Sequence, residues 1–147
     1  MYQNRIRPPI FVQLNEQRTD QFIFQTIIDK ATAAELYIEL LNKSPNDFVS
    51  RLIEGIRLNN LTDLEVYQNL YLQNFGPIPS FTVQRNEVIN YKEAILSALE
   101  NEIRVVDTAR RFLAAGENQL GSDIYRATLL QDTANLSILG TIYNSLV

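Results

Sequence analysis

An all-α fold, an antiparallel bundle of four long helices, follows from three observations. Apolar residues recur at alternating steps of three and four over four long stretches, the spacing that keeps one helix face apolar. Proline and glycine punctuate the chain between those stretches, at Pro45, at Gly76-Pro77 and at Gly116. The period of two that marks a half-buried strand competes nowhere. Four long helices with three connections close as a four-helix bundle.

Each element is read from its own signals. Residues 1–18 hold Pro8-Pro9 and no clean period, which predicts a short extended N-terminal arm pinned by Ile10, Phe11, Val12 and Leu14. The remainder, 19–147, is predicted as one bundle. The first helix covers about 19–42, with a stripe of Ile23, Ile27, Lys30, Ala34, Tyr37 and Leu41, and it stops before Pro45. The second covers about 45–74. Ser44 is its predicted cap, Pro45 suits the first turn, and Asp47 stands three residues after the cap. Its stripe runs Val49, Ile53, Ile56, Asn60, Asp63, Tyr67, Leu70. A connection over 77–85 leads to the third helix, about 86–115, with Tyr91, Ile95, Ala98, Glu102, Val105, Ala109 and Phe112 on one face. That connection is compact and leaves open whether it crosses the bundle end. Ser122 is the predicted cap of the fourth helix, about 122–146. Two phases remain open there: Leu129, Thr133, Leu136, Gly140, Tyr143, or Ile124, Thr128, Gln131, Asn135, Ile138, Ile142.

Composition excludes several functions. The 147 residues suit a single domain, with 46% apolar and 20% charged residues. The net charge of −4 argues against nonspecific nucleic-acid binding, and no basic run suits an anionic membrane. Apolar runs fall far short of the ~20 residues that span a bilayer. No apolar signal segment opens the chain, so a cytoplasmic setting is expected. Cysteine and histidine are both absent. That removes thiol and Ser-His-Asp chemistry, thiolate zinc sites and imidazole ligands. The scattered glycines form no phosphate loop.

Polar residues interrupt the stripes near mid-helix. They are Lys30, then Asn60 with Asp63, then Glu102, and Thr133 with Leu136 three residues on completes a series of single, pair, single, pair. Carboxylate di-metal bundles use that series, with one Glu from each of two helices and Glu-x-x-His from each of the others. The separation of Lys30 from Asn60 is nearly that of Glu102 from Thr133. The chain also reads as two helical hairpins related by a constant shift in numbering, the shift that lays Lys30 on Glu102.

On these residues the chain resembles the small ferritin-like, rubrerythrin-related bundle proteins common in spore-forming bacteria. The resemblance covers about residues 19–146. It rests on Lys30, Ala33 and Tyr37 in the first helix, and on Asn59-Asn60-Leu61-Thr62-Asp63, Leu70-Tyr71 and Gly76-Pro77-Ile78-Pro79 in and after the second. Ala98, Leu99 and Glu102 carry it in the third, Asp132 to Ser137 in the fourth. It implies a ferritin-like bundle and places the family's six ligand positions at Lys30, Asn60, Asp63, Glu102, Thr133 and Leu136. The family expects four Glu and two His there, and Glu102 alone is retained.

An ammonium at Lys30 opposes bound cations and is no ligand while protonated. The resemblance therefore implies the fold and withdraws the oxidase, peroxide-reducing and iron-storage activities. No cofactor is expected. Lys30 is expected to bond Glu102, Asp63 or both, with Asn60 and Thr133 completing the hydrogen bonds. Three readings compete with this: Lys30 snorkelling outward along its stem, Asn60 and Asp63 facing a groove or a partner chain, or a helical phase displaced by one residue. The expected function is a non-catalytic structural or protein-interaction bundle, spore-associated on the resemblance, forming a homodimer or binding a protein through its helical faces. The alternatives are an atypical metal protein, with a hard cation on Asp63 and Glu102 through water, and a small-ligand pocket protein. Among lesser features, Glu100 and Arg104 are predicted to pair at i,i+4. Tyr37, Tyr67 and Tyr71 read as packing. Glu35, Glu39, Glu87 and Glu93 read as solvated faces.

Overall fold

The computed structural model describes residues 3–83, 87–116 and 119–147, with side chains described from Thr19 onward. Four helices follow in order: α1 Gln3–Asn42, α2 Asp47–Phe75, α3 Tyr91–Ala115 and α4 Ser122–Ser145. They form a four-helix bundle.

The element boundaries correct several expectations. The extended arm predicted over 1–18 is helix from Gln3 onward, continuous with α1. Pro8-Pro9 is only a local cost against helix, and α1 is anchored by its packing from Thr19 on. The side chains of Ile10, Phe11, Val12 and Leu14, expected to pin that segment, lie outside the described ones. The cap of α2 is Asn46 rather than Ser44. The Asn46 side chain accepts from Val49 N at 2.9 Å, while the Ser44 hydroxyl donates to the Asn46 carbonyl. A third-position amide is the natural target of a capping Asn. Helix α3 starts later than predicted because Asn90 caps it the same way, accepting from Glu93 N. Asn86, where that start was expected, lies outside the described residues. Gly76 and Gly121 have φ of 89° and 88°, the left-handed region that glycine enters without strain. A Cβ at Gly121 would also sit 3.1 Å from a Leu70 methyl, so this turn into α4 requires glycine. Ser122 is thus the first helical residue, not the cap.

The core divides into two ends. At one, Ala33, Tyr37 and Leu40 of α1 meet Val49, Ile53 and Ile56 of α2, Ile95 and Ala98 of α3, and Leu139 and Ile142 of α4. At the other, Ile23 and Ile27 meet Tyr67, Leu70, Tyr71, Ala109, Phe112 and Tyr125. Early α2 and early α3 therefore share an end with late α1 and late α4. Helices α2 and α3 run one way, α1 and α4 the other. The connection over 76–90 must then travel the length of the bundle. It starts with Phe81 against Phe24, ring centroids 5.8 Å apart, and ends with the Val88 carbonyl accepting from Lys43 Nζ at 2.7 Å. An extended chain of that length reaches about 50 Å, enough to run beside α2, about 43 Å long. Neighbouring helices are antiparallel throughout. α1 packs on α2 and α3, and α4 packs on α3. The α2–α4 seam is the loosest of the four.

Candidate functional site

The site is a polar layer between the two apolar ends. Lys30 on α1 is its hub, with a side chain only 1% exposed. Its ammonium donates to Asp132 Oδ2 of α4 at 2.8 Å and to Asp63 Oδ2 of α2 at 3.1 Å. One lysine thus ties together the two helices that pack most loosely. Burial works against its charge. Asp132, Glu102 and Asp63 outweigh burial, and its pKa ends above the ordinary lysine value.

Glu102 of α3 lies in the same layer and is also 1% exposed. It does not bond Lys30. Its Oε1 accepts from the Tyr37 hydroxyl at 2.6 Å. Its Oε2 is buried with no hydrogen-bond partner. Burial raises its pKa, the charge on Asp132 adds to that, and Lys30 and Tyr37 oppose it, leaving it at about 7. Asp132, fully buried, is also raised above the usual carboxylate value by burial, with Lys30 opposing.

Two asparagines tie α1's backbone into the layer. Asn60 Nδ2 donates to the Lys30 carbonyl at 2.8 Å, and Asn101 Nδ2 donates to the Asp29 carbonyl at 3.1 Å. Asn60 Oδ1, like Glu102 Oε2, is buried and unpartnered. Asn135 Nδ2 reaches Asp132 Oδ1 at 3.3 Å. Below the layer, two hydroxyl pairs span the bundle: Tyr67 with Thr128 at 2.5 Å, and Tyr125 with Thr26 at 2.7 Å.

Four of the six predicted positions, Lys30, Asn60, Asp63 and Glu102, converge here. Lys30 does not snorkel outward. The two positions on α4 are corrected. Thr133 is exposed and its hydroxyl donates to the Leu129 carbonyl of its own helix, and Leu136 is only half-buried. After Ser122 at its start, the buried face of α4 is Tyr125, Thr128, Asp132, Asn135, Leu139 and Ile142, so Asp132-x-x-Asn135 stands where Thr133-x-x-Leu136 was expected. Half of that face belongs to one predicted stripe and the rest to neither, because aromatic and polar core residues interrupt the aliphatic period. The relation between the hairpins carries the missing signal. The shift that lays Lys30 on Glu102 also lays Asn60 on Asp132 and Asp63 on Asn135. Arg104 bonds Asn101 Oδ1 at 3.0 Å instead of pairing with Glu100, since the buried amide needs a donor.

Three carboxylates surround one ammonium, which occupies the space between Asp63 and Asp132. Among the described residues no group of three or more Asp, Glu, His or Cys is placed to hold a metal ion. No described helix is long and apolar enough to cross a membrane.

No family model and no curated protein matches the chain. Among solved structures it is similar to one described as CopM in the Cu(II)-bound form, with a TM-score of 0.73 and 14% identity. The match covers 86% of this chain and 95% of that one. At this identity the likeness shows the fold alone.

Proposed function

We propose that this chain is a non-catalytic ferritin-like bundle with a structural or protein-interaction role, in which an internal ammonium stands where relatives hold metal. One observation carries the reading. Lys30 Nζ lies 2.8 Å from Asp132 and 3.1 Å from Asp63, so the chain's own cation neutralises the carboxylates that a metal would need. The crossover between α2 and α3 supports the ferritin-like comparison, because such bundles carry one long crossover. The copper named for CopM finds little support in this chain's donors. His and Cys are absent and Met1 is the sole methionine, while copper sites draw on imidazole and soft sulfur.

The interaction role rests on exposed apolar residues. Leu58, Leu61 and Leu72 are exposed at helical spacing along one face of α2, which suits a second copy or a protein partner. The deciding experiment is exposure of the protein to Fe(II) in air, followed by metal analysis and measurement of mass in solution. Bound iron is expected to stay far below one per chain, with a mass above the monomer. About two irons per chain, the di-metal complement, overturns the reading.

A further inference from the structure

We propose that the bundle centre is a hydration site, in which one water molecule is held by Lys30, Asn60 and Glu102. The site presupposes the metal-free centre proposed above. Its argument is a match of donors to acceptors. Asn60 Oδ1 and Glu102 Oε2 are both acceptors, both buried, and neither meets a donor. The lysine ammonium carries three hydrogens, and Asp63 and Asp132 take two. With Glu102 ionised, the layer therefore holds one surplus donor and two surplus acceptors. A water molecule accepts one hydrogen bond from Lys30 and donates one each to Asn60 and Glu102. Three bonds is the usual complement of a buried water.

All three residues belong to the buried polar layer. Asn60 is hydrogen-bonded to Lys30's own carbonyl, and Lys30 and Glu102 each act on the charge of the other. Water also suits the chemistry better than a second cation, because the ammonium already stands in the layer. Asp63, whose side chain is 18% exposed while Asp132 is closed off, is where the layer comes nearest to solvent.

The test is a crystal structure of the full chain at a resolution that shows ordered water, with anomalous data, beside water-proton relaxation dispersion in solution. The expected result is one peak about 2.6–3.2 Å from both Glu102 Oε2 and Asn60 Oδ1, without anomalous signal. A long-lived water is expected in relaxation dispersion of the native chain, lost in Asn60→Leu. Should that variant fail to fold, the native density and relaxation decide. A dry centre, with protein donors on both oxygens, overturns the hydration site and leaves the metal-free bundle standing. An anomalous peak there overturns both.

Discussion

The α1–α2 and α3–α4 hairpins match position for position under one constant shift in numbering, yet their matched polar residues are complementary rather than alike. Lys30 answers Glu102, Asn60 answers Asp132, Asp63 answers Asn135, and Asp29 answers Asn101. A symmetric centre built from either hairpin twice would bring lysine against lysine or glutamate against glutamate. The observed centre sets the cation of one hairpin among the anions of both. Such a layer adds little net stability, because desolvation offsets the attraction between its charges. It does penalise the wrong pairing of hairpins, as like charges in a closed interior do.

The largest expected effect breaks the asymmetry at its hub. Lys30→Met leaves Asp63, Asp132 and Glu102 buried or half-buried without a counter-ion. Denaturant unfolding should record a loss of about 3–5 kcal/mol, the cost of removing one partner from a buried pair. A change below about 1 kcal/mol, the scale of an exposed pair, would mean that the carboxylates are protonated or hydrated at little cost and that Lys30 is not the hub.

Next come the two aspartates, which share one chemistry and differ in burial. Asp132 is fully closed off and Asp63 is 18% exposed, though both bond the same ammonium. Asp132→Asn should therefore cost more than Asp63→Asn, by ~2 kcal/mol, as buried and solvent-screened pairs differ. Equal losses would show that water screens both alike.

The third prediction concerns pH. Glu102 is raised to about 7 in the folded protein, above its ordinary value of 4.5. Between those values the folded state binds the extra proton, so stability falls as pH rises through that window. Asp132, also raised by burial, acts in the same direction. Melting temperature should decline from pH 5.5 to 8, and Glu102→Gln should flatten that decline. A decline unchanged in the variant would assign it to another group.

The smallest effect lies below the layer. Tyr67→Phe removes the bond to Thr128 and leaves a buried hydroxyl alone, at a cost of about 1–3 kcal/mol by the same unfolding measurement. Its hairpin counterpart is Leu139, which has no hydroxyl to lose, so Leu139→Val should act through packing alone, at ~1 kcal/mol.

How much was legible depended on the regularity of each stripe. In α2 and α3 the aliphatic period is nearly unbroken, so Asn60, Asp63 and Glu102 stand out as interruptions, and all three lie in the polar layer. In α4 the buried face mixes Tyr125, Thr128, Asp132 and Asn135 with two aliphatics, and half-buried Ile124, Leu129, Leu136 and Ile138 flank it. Hydrophobicity then points one residue away from the true face. For that reason the sequence directs attention to Thr133 and Leu136 in place of Asp132 and Asn135.

Helix number, the helix ends other than the start of α1, to within a few residues, and the presence of a polar layer were legible in the sequence itself, because propensity and periodicity act within a few residues along the chain. The choice among partners was settled only by tertiary structure. Lys30 bonds Asp132, far along the chain on the last helix, while Glu102 turns to Tyr37. That choice depends on which helices lie side by side and on the one-residue phase of α4, and both follow from packing the four helices against one another.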